Sequence, residues 1–134
     1  MKKWISFLVA LVIIIIAFLL IKPKISNNYY QKGQHSADSL EYDIAAEYFS
    51  KSIKFNKKNI KAILGRANAF YQLEELENAE ADFNYLLQLD NQNYEAYFGR
   101  ALIFIKNSSW ESALSDLNKA KELKSDSPEI FYFI

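Results

Sequence analysis

A thirty-four-residue period runs through this chain from residue 26 onward, and no other feature restricts its fold as much. Read down columns at that spacing, the small positions are Gly33, Ala67 and Ala101, then Ala45, Ala79 and Ala113. The bulky positions keep the same interval: Tyr29, Ile63, Tyr97 and Phe131; Tyr42, Leu76 and Trp110; Phe49, Phe83 and Leu117; Phe55, Leu89 and Leu123. A single helix or strand repeats its side-chain pattern every few residues. A period of this length instead marks a two-element unit that buries its apolar face only by stacking on copies of itself. Three copies occupy 26–59, 60–93 and 94–127, the first fainter than the others.

Within each copy apolar residues recur at three- and four-residue steps, as in Leu76, Ala79, Phe83, Leu86 and Leu87, which is helical spacing. The pattern predicts helices at about 27–39 with 42–55, 60–73 with 76–89, and 94–106 with 110–124. Asn107-Ser108-Ser109 reads as a turn with Ser109 capping the helix that follows, and Glu74, Glu75 and Glu111 stand where a helix start favours negative charge.

With these residues in view, the module resembles the tetratricopeptide repeat: an aromatic or aliphatic residue, a small residue four on, an aromatic, then Ala and Phe four apart. Ser36 departs from the pattern where the other copies have Phe70 and Phe104. Lys57, Asn91 and Ser125 stand where the family closes each repeat with proline. The resemblance implies an all-α, right-handed solenoid of three helix-turn-helix repeats, with 128–134 as a truncated capping helix. It also implies a concave groove lined by the first helix of each repeat, where a peptide or a partner's helix is held.

By register the groove residues are Tyr30, Gln34, Leu64, Gly65, Asn68, Tyr71, Phe98, Gly99 and Leu102, with Lys61, Gln72, Glu95 and Lys106 beside them. Gly65 and Gly99 are expected to let a ligand backbone come close. The large side chains supply apolar area, and Gln34 and Asn68 supply backbone hydrogen bonds. The competing assignment for Leu64, Phe98 and Leu102 is packing against the next repeat. Some family members clamp the terminal carboxylate of chaperones with Lys, Asn and Arg. The matching places here hold Tyr30, Gln34, Gly65, Glu95 and Gly99, so that clamp is absent.

Ahead of the repeats, 1–3 form a short tail, 4–21 an unbroken apolar run with Ser6 its only polar side chain, and 22–25 a linker containing Lys22, Pro23 and Lys24. Eighteen helical residues reach roughly 27 Å, close to the thickness of a bilayer core. A cleaved signal peptide needs small residues one and three places before the cut, and nothing after Leu19 supplies them. The run therefore reads as a single-pass transmembrane anchor, with Trp4 at its interfacial edge. The short leading tail favours an inside N-terminus and repeats on the extracytoplasmic side. Pro23 is expected to end the membrane helix before the repeats begin.

Composition narrows the chemistry. Net charge is zero over 134 residues, but Lys2, Lys3, Lys22 and Lys24 flank the apolar run and leave a mildly acidic remainder, unsuited to nucleic acid. There is no cysteine and one histidine, His35, which removes disulfides, thiolate chemistry and histidine-based metal sites. No phosphate loop or nucleophile motif occurs. No catalytic residue, metal or cofactor is expected, and the chain reads as an adaptor rather than an enzyme. It would work in a membrane-associated assembly or transport complex. The alternative is a self-associating module that forms homo-oligomers through the anchor and the apolar C-terminus.

Two charge patterns remain. Lys51, Lys54, Lys57, Lys58 and Lys61 cluster around the turn after the first repeat, either as a solvated edge or as a surface for anionic headgroups. Arg66 and Arg100 each precede an aspartate by sixteen residues, Asp82 and Asp116, whereas the first repeat has Lys32 and Tyr48 at those places. Joint presence or absence predicts the structural ion pairs Arg66 with Asp82 and Arg100 with Asp116, partly buried between helices.

Overall fold

The computed structural model describes residues 2–124. Among the described residues there are six α-helices and no strand: α1 (Lys2–Asp38), α2 (Tyr42–Phe55), α3 (Ile60–Gln72), α4 (Leu76–Leu89), α5 (Tyr94–Lys106) and α6 (Trp110–Leu123). The helices over 42–55, 76–89 and 94–106 lie where periodicity puts them, and α3 and α6 each stop one residue short of the expected end. The expected capping helix at 128–134 lies outside the described residues.

Pro23 does not separate the apolar run from the repeats. α1 passes through it without interruption, so the linker expected at 22–25 is helical. Proline forfeits the bond from its own missing N–H to the carbonyl of Leu19 and crowds that carbonyl with its ring, but the ring fixes φ near the helical value. Leu19 is exposed, at the outer end of the apolar run. Beyond Pro23, packing takes over: Ser26 is 1% exposed and bonded into the first repeat, so helical structure is enforced on both sides.

Each repeat pairs a first helix with an antiparallel second helix. The small columns make this possible: Ala45, Ala62, Ala67, Ala79, Ala96 and Ala101 are wholly buried at helix crossings, and larger residues there would push the helices apart. Ile63, Phe83, Leu86 and Ile103 fill the central core together with Ala67, Ala79 and Ala96, which joins the second and third repeats. Phe49 does the same for the first and second. Burial of each such large side chain contributes about 1.5–3 kcal/mol. First helices touch first helices, α1 with α3 and α3 with α5, while α2 and α4 pack chiefly on their sequence neighbours. The first helices therefore form the inner layer.

The turns inside the repeats share one geometry. Leu40, Glu74 and Ser108, spaced by the repeat period, adopt left-handed φ values of 62°, 60° and 56°. In each turn the next residue's N–H reaches back to the carbonyl five places earlier, as Glu41 does to Ser36, Glu75 to Phe70 and Ser109 to Phe104. That bond and the shorter one inside it make a Schellman close, usually built with glycine. Ser109 stands at the N-cap of α6 but makes no side-chain cap bond, contrary to expectation. Helix caps come from Asn59 and Asn93, one period apart, whose side chains accept from Ala62 N at 3.2 Å and Ala96 N at 2.9 Å.

Candidate functional site

A groove of about 560 Å³ opens on the inner layer between α1 and α3, bounded at its far edge by α5. Its walls are Tyr30, Gln34 and Ala37 from α1, Tyr42 and Phe49 from α2, Lys61, Leu64, Gly65, Asn68, Ala69 and Gln72 from α3, and Glu95 from α5. Five of the nine residues that register assigns to a groove meet here: Tyr30, Gln34, Leu64, Gly65 and Asn68. Tyr30 and Gln34 stand four apart on α1, and Leu64 and Gly65 stand four and three residues before Asn68 on α3, so they share one face of two neighbouring first helices.

The other four do not line this groove. Tyr71 lies beneath Lys106, whose ammonium is 4.8 Å from the ring centre and 2.6 Å from the carboxylate of Glu74. That hydrogen bond, ahead of the general attraction, raises the Lys106 pKa above its ordinary value. Phe98 packs on the core of the third repeat, and Leu102 is half-buried further along α5.

Gly65 and Gly99 have a different reason for being glycine than ligand access. A β-carbon on Gly65 would stand 2.6 Å from Cζ of Phe49, and one on Gly33 would stand 2.7 Å from the same ring. A β-carbon on Gly99 would collide with Cζ of Phe83. The space that glycine leaves is filled by the phenylalanine of the preceding second helix. This brings Phe49 to the floor of the groove, a lining residue that register along the first helices alone misses. The recurrence of Phe49 and Phe83 sixteen residues before Gly65 and Gly99 is the signal that could have found it.

The groove combines an aromatic floor with an amide rim. Tyr30 is half-buried, its ring centre 6.0 Å from that of Phe49, and its hydroxyl oxygen accepts from Gln34 Nε2 at 3.0 Å. That leaves the phenolic proton available to a ligand. Leu64 rests partly on the core and partly on the groove, so it packs the stack and offers surface at once. Asn68 and Gln72 are exposed, and Lys61 and Glu95 supply one charge of each sign. Such a surface suits a polypeptide with an apolar centre and polar flanks.

Outside the groove, Arg66 donates from Nε and Nη2 to the two carboxylate oxygens of Asp82, both at 2.7 Å, and from Nη1 to Ser50 Oγ at 3.1 Å. Arg100 repeats the arrangement with Asp116 at 2.7 and 2.8 Å and with Asn84 Oδ1 at 2.7 Å. Each arginine therefore ties the second helix of its own repeat to that of the repeat before. Hydrogen bonding to Asp116 raises the Arg100 pKa above its ordinary value, against the burial that lowers it. In the first repeat Lys32 lies 5.9 and 5.8 Å from the ring centres of Tyr29 and Tyr48, a cation over aromatic rings in place of an ion pair. His35 is exposed, and no group of side chains suited to a metal occurs among the described residues.

α1 is long and apolar enough over its first half to cross a membrane, and none of that stretch is covered by the rest of the chain. Its large side chains are exposed all round, from Trp4 at 75% to Leu20 at 75%. In water such a surface favours association or a bilayer.

No family model and no curated protein matches the chain. Solved structures do. The repeat domain of Arabidopsis OM64 superposes with a TM-score of 0.82 at 22% identity, over 84% of this chain and 93% of that one. The first repeat domain of Spaghetti (RPAP3), bound to the HSP90 peptide SRMEEVD, gives 0.79 at 23% identity over 82% and 87%. The TPR2B domain of yeast Sti1, in complex with an Hsp70 peptide, gives 0.76 at 21% identity over 81% and 91%. All three are tetratricopeptide domains, and at this identity they speak for architecture alone. The stacked helix pairs of this chain have the tetratricopeptide-repeat fold.

Proposed function

We propose that this protein is a membrane-anchored adaptor that binds a peptide or partner helix on the inner face of its repeats, with 4–21 as the anchor and the repeats on the extracytoplasmic side. The groove between α1 and α3 carries the reading: an aromatic floor of Tyr30 and Phe49, the flank of Leu64, and a rim of Gln34, Asn68 and Gln72. Neighbours of this fold hold HSP90 and Hsp70 peptides, which supports a polypeptide ligand here too. The ligand differs in kind. At the places where those relatives' family grips a terminal carboxylate, this chain has Tyr30, Gln34, Gly65, Glu95 and Gly99, none of them cationic. Lys61 is the one base on the groove wall, and Glu95 opposes it. An internal segment with an apolar centre therefore fits better than an acidic C-terminus.

A peptide array probed with the full chain in mild detergent tests this. Bound sequences should centre on large apolar residues and bind equally with free or amidated C-termini. Asn68→Arg, a substitution at an exposed position, should weaken them at least about tenfold with helicity unchanged, since it puts a solvated charge on the rim of the apolar floor. A preference for free acidic C-termini, or indifference to Asn68→Arg, overturns the reading. Protease added to sealed cells should digest the repeats if they face outward.

A further inference from the structure

The polar joint that seats α1 on the repeats also brings separated lysines to one edge of the molecule. Ser26 Oγ donates to the carbonyl of Ser52 at 2.9 Å, and Ser52 Oγ donates to that of Ser26 at 2.8 Å. Asn59 Nδ2 donates to both hydroxyl oxygens at 3.1 Å. Both serines are buried, and every polar atom in the knot is satisfied. One period on, Ser26 and Ser52 correspond to Ile60 and Leu86, so this polar contact is peculiar to the repeat that carries the leader.

The knot sets the height of the turn between α2 and α3. Ser26 lies five residues past Ile21, the end of the apolar run, which is about 8 Å along a helix. Residues 56–59 are fastened beside it, which puts Lys54, Lys57 and Lys58 level with Lys22 and Lys24. Lys24, Lys54, Lys57 and Lys58 are exposed, and none is paired with a carboxylate among the described residues. No acidic residue precedes Asp38, and none occurs between Glu47 and Glu74. The opposite ends of the helices, about 20 Å away along a fourteen-residue helix, are acidic: Asp38, Glu41 and Asp43 at the first turn, Glu74, Glu75 and Glu77 at the second, and Glu111 at the third. Lys106, held by Glu74, is the lysine at that end. Further along the near edge Asp90 and Glu95 interrupt the positive charge before Lys121 and Lys124 at the end of α6, so the unbroken basic stretch belongs to the first repeat.

We propose that Lys24, Lys54, Lys57 and Lys58 form a docking edge for an anionic bilayer surface. The edge holds the first repeat down on the membrane, turns the acidic ends away from it, and keeps the α1–α3 groove facing along the surface. The proposal rests on the membrane-anchor reading of 4–21. It commits to lipid because the only large surface that the apolar run can bring to this edge is the one it enters.

Absence of native cysteine makes a site-specific test clean. The full chain carrying Asn56→Cys, labelled with an environment-sensitive fluorophore, is placed in phosphatidylcholine vesicles with or without about one-third phosphatidylglycerol. Ser39→Cys serves as the far-end control. The label at 56 should shift to the blue and resist an aqueous quencher only in the anionic vesicles. The effect should vanish in about 0.5 M sodium chloride, where the Debye length is under about 5 Å. Each lysine near such a surface is worth roughly fivefold in occupancy, so Lys54→Ala/Lys57→Ala/Lys58→Ala should abolish the shift. These side chains are exposed, and circular dichroism should show unchanged helicity. The label at 39 should respond to neither lipid. Equal shielding in both vesicles, or docking that survives the triple substitution, overturns the proposal and leaves the anchor standing. Release of the chain by an alkaline wash overturns the anchor reading, and this one with it. Binding of an acidic peptide with no lipid dependence assigns the edge to protein and overturns it as well.

Discussion

At the scale of single residues, two side-chain arrangements recur from repeat to repeat, and each yields a measurable cost. The Arg66 guanidinium fills both carboxylate oxygens of Asp82 and still reaches Ser50, while the carboxylate side chain is only 9% exposed. Removing one partner strands a charge in a place with little water. Asp82→Ala should therefore cost about 2–4 kcal/mol, well above the 1 kcal/mol or less of a surface pair. In a double-mutant cycle, Arg66→Ala with Asp82→Ala should show about 1 kcal/mol or more of coupling in urea unfolding. Strict additivity would show that the pair does not act as a unit. Gly99→Ala sets two effects against each other. In an open helix the change gains about 1 kcal/mol, but here the new methyl meets the Phe83 ring, and overpacking costs about 1–3 kcal/mol. Net destabilisation is expected, and Phe83→Leu in the same chain should recover part of it.

At the scale of elements, the turns and the joint decide how helices meet. Ser108 has a φ of 56° with its side chain exposed. A β-carbon is disfavoured in that conformation, so Ser108→Gly should stabilise the domain by about 0.5–1 kcal/mol and raise its thermal midpoint by a few degrees. An unchanged or lower midpoint would mean that the turn relaxes out of the left-handed region in solution. Ser52→Ala should do the reverse. It takes from the Ser26 carbonyl the hydroxyl donor that it has besides its helix bond, and takes one acceptor from Asn59 at the buried joint, at a cost of about 1–3 kcal/mol. Since Asn59 also caps α3, amide exchange in the first turn of α3 should quicken in that variant. Exchange that stays as slow as in the parent chain would separate the cap from the joint.

At the scale of the molecule, helices contact their neighbours and little else, so stability is passed along the stack rather than shared by one closed core. Loss of the Arg100 pair should therefore act locally. Asp116→Ala should speed hydrogen exchange in α5 and α6 while α2 and α3 keep most of their protection. Uniform loss of protection across all helices would indicate a cooperative unit larger than neighbour stacking allows. The same linear build explains how one chain can present a groove between α1 and α3, a lysine-rich edge beside the middle of α1, and acidic turns at the far end.

Sequence periodicity already contained the helices, their order and the pairing of arginine with aspartate, because each depends on spacing within or between equivalent units. The apolar character of 4–21 was equally plain, since seventeen apolar side chains interrupted only by Ser6 need no partner to be recognised. Three-dimensional packing settled the rest. Pro23 lies within a continuous helix because Ser26, Ser52 and Asn59 close on one another across the joint, and none of those side chains is unusual until they are brought together. Gly65 and Gly99 proved to be seats for phenylalanine rings, and Phe49 proved to be the groove floor. Spacing along one helix tells which residues share a face. What occupies the volume in front of that face depends on the helix that folds against it, and only the assembled stack supplies that.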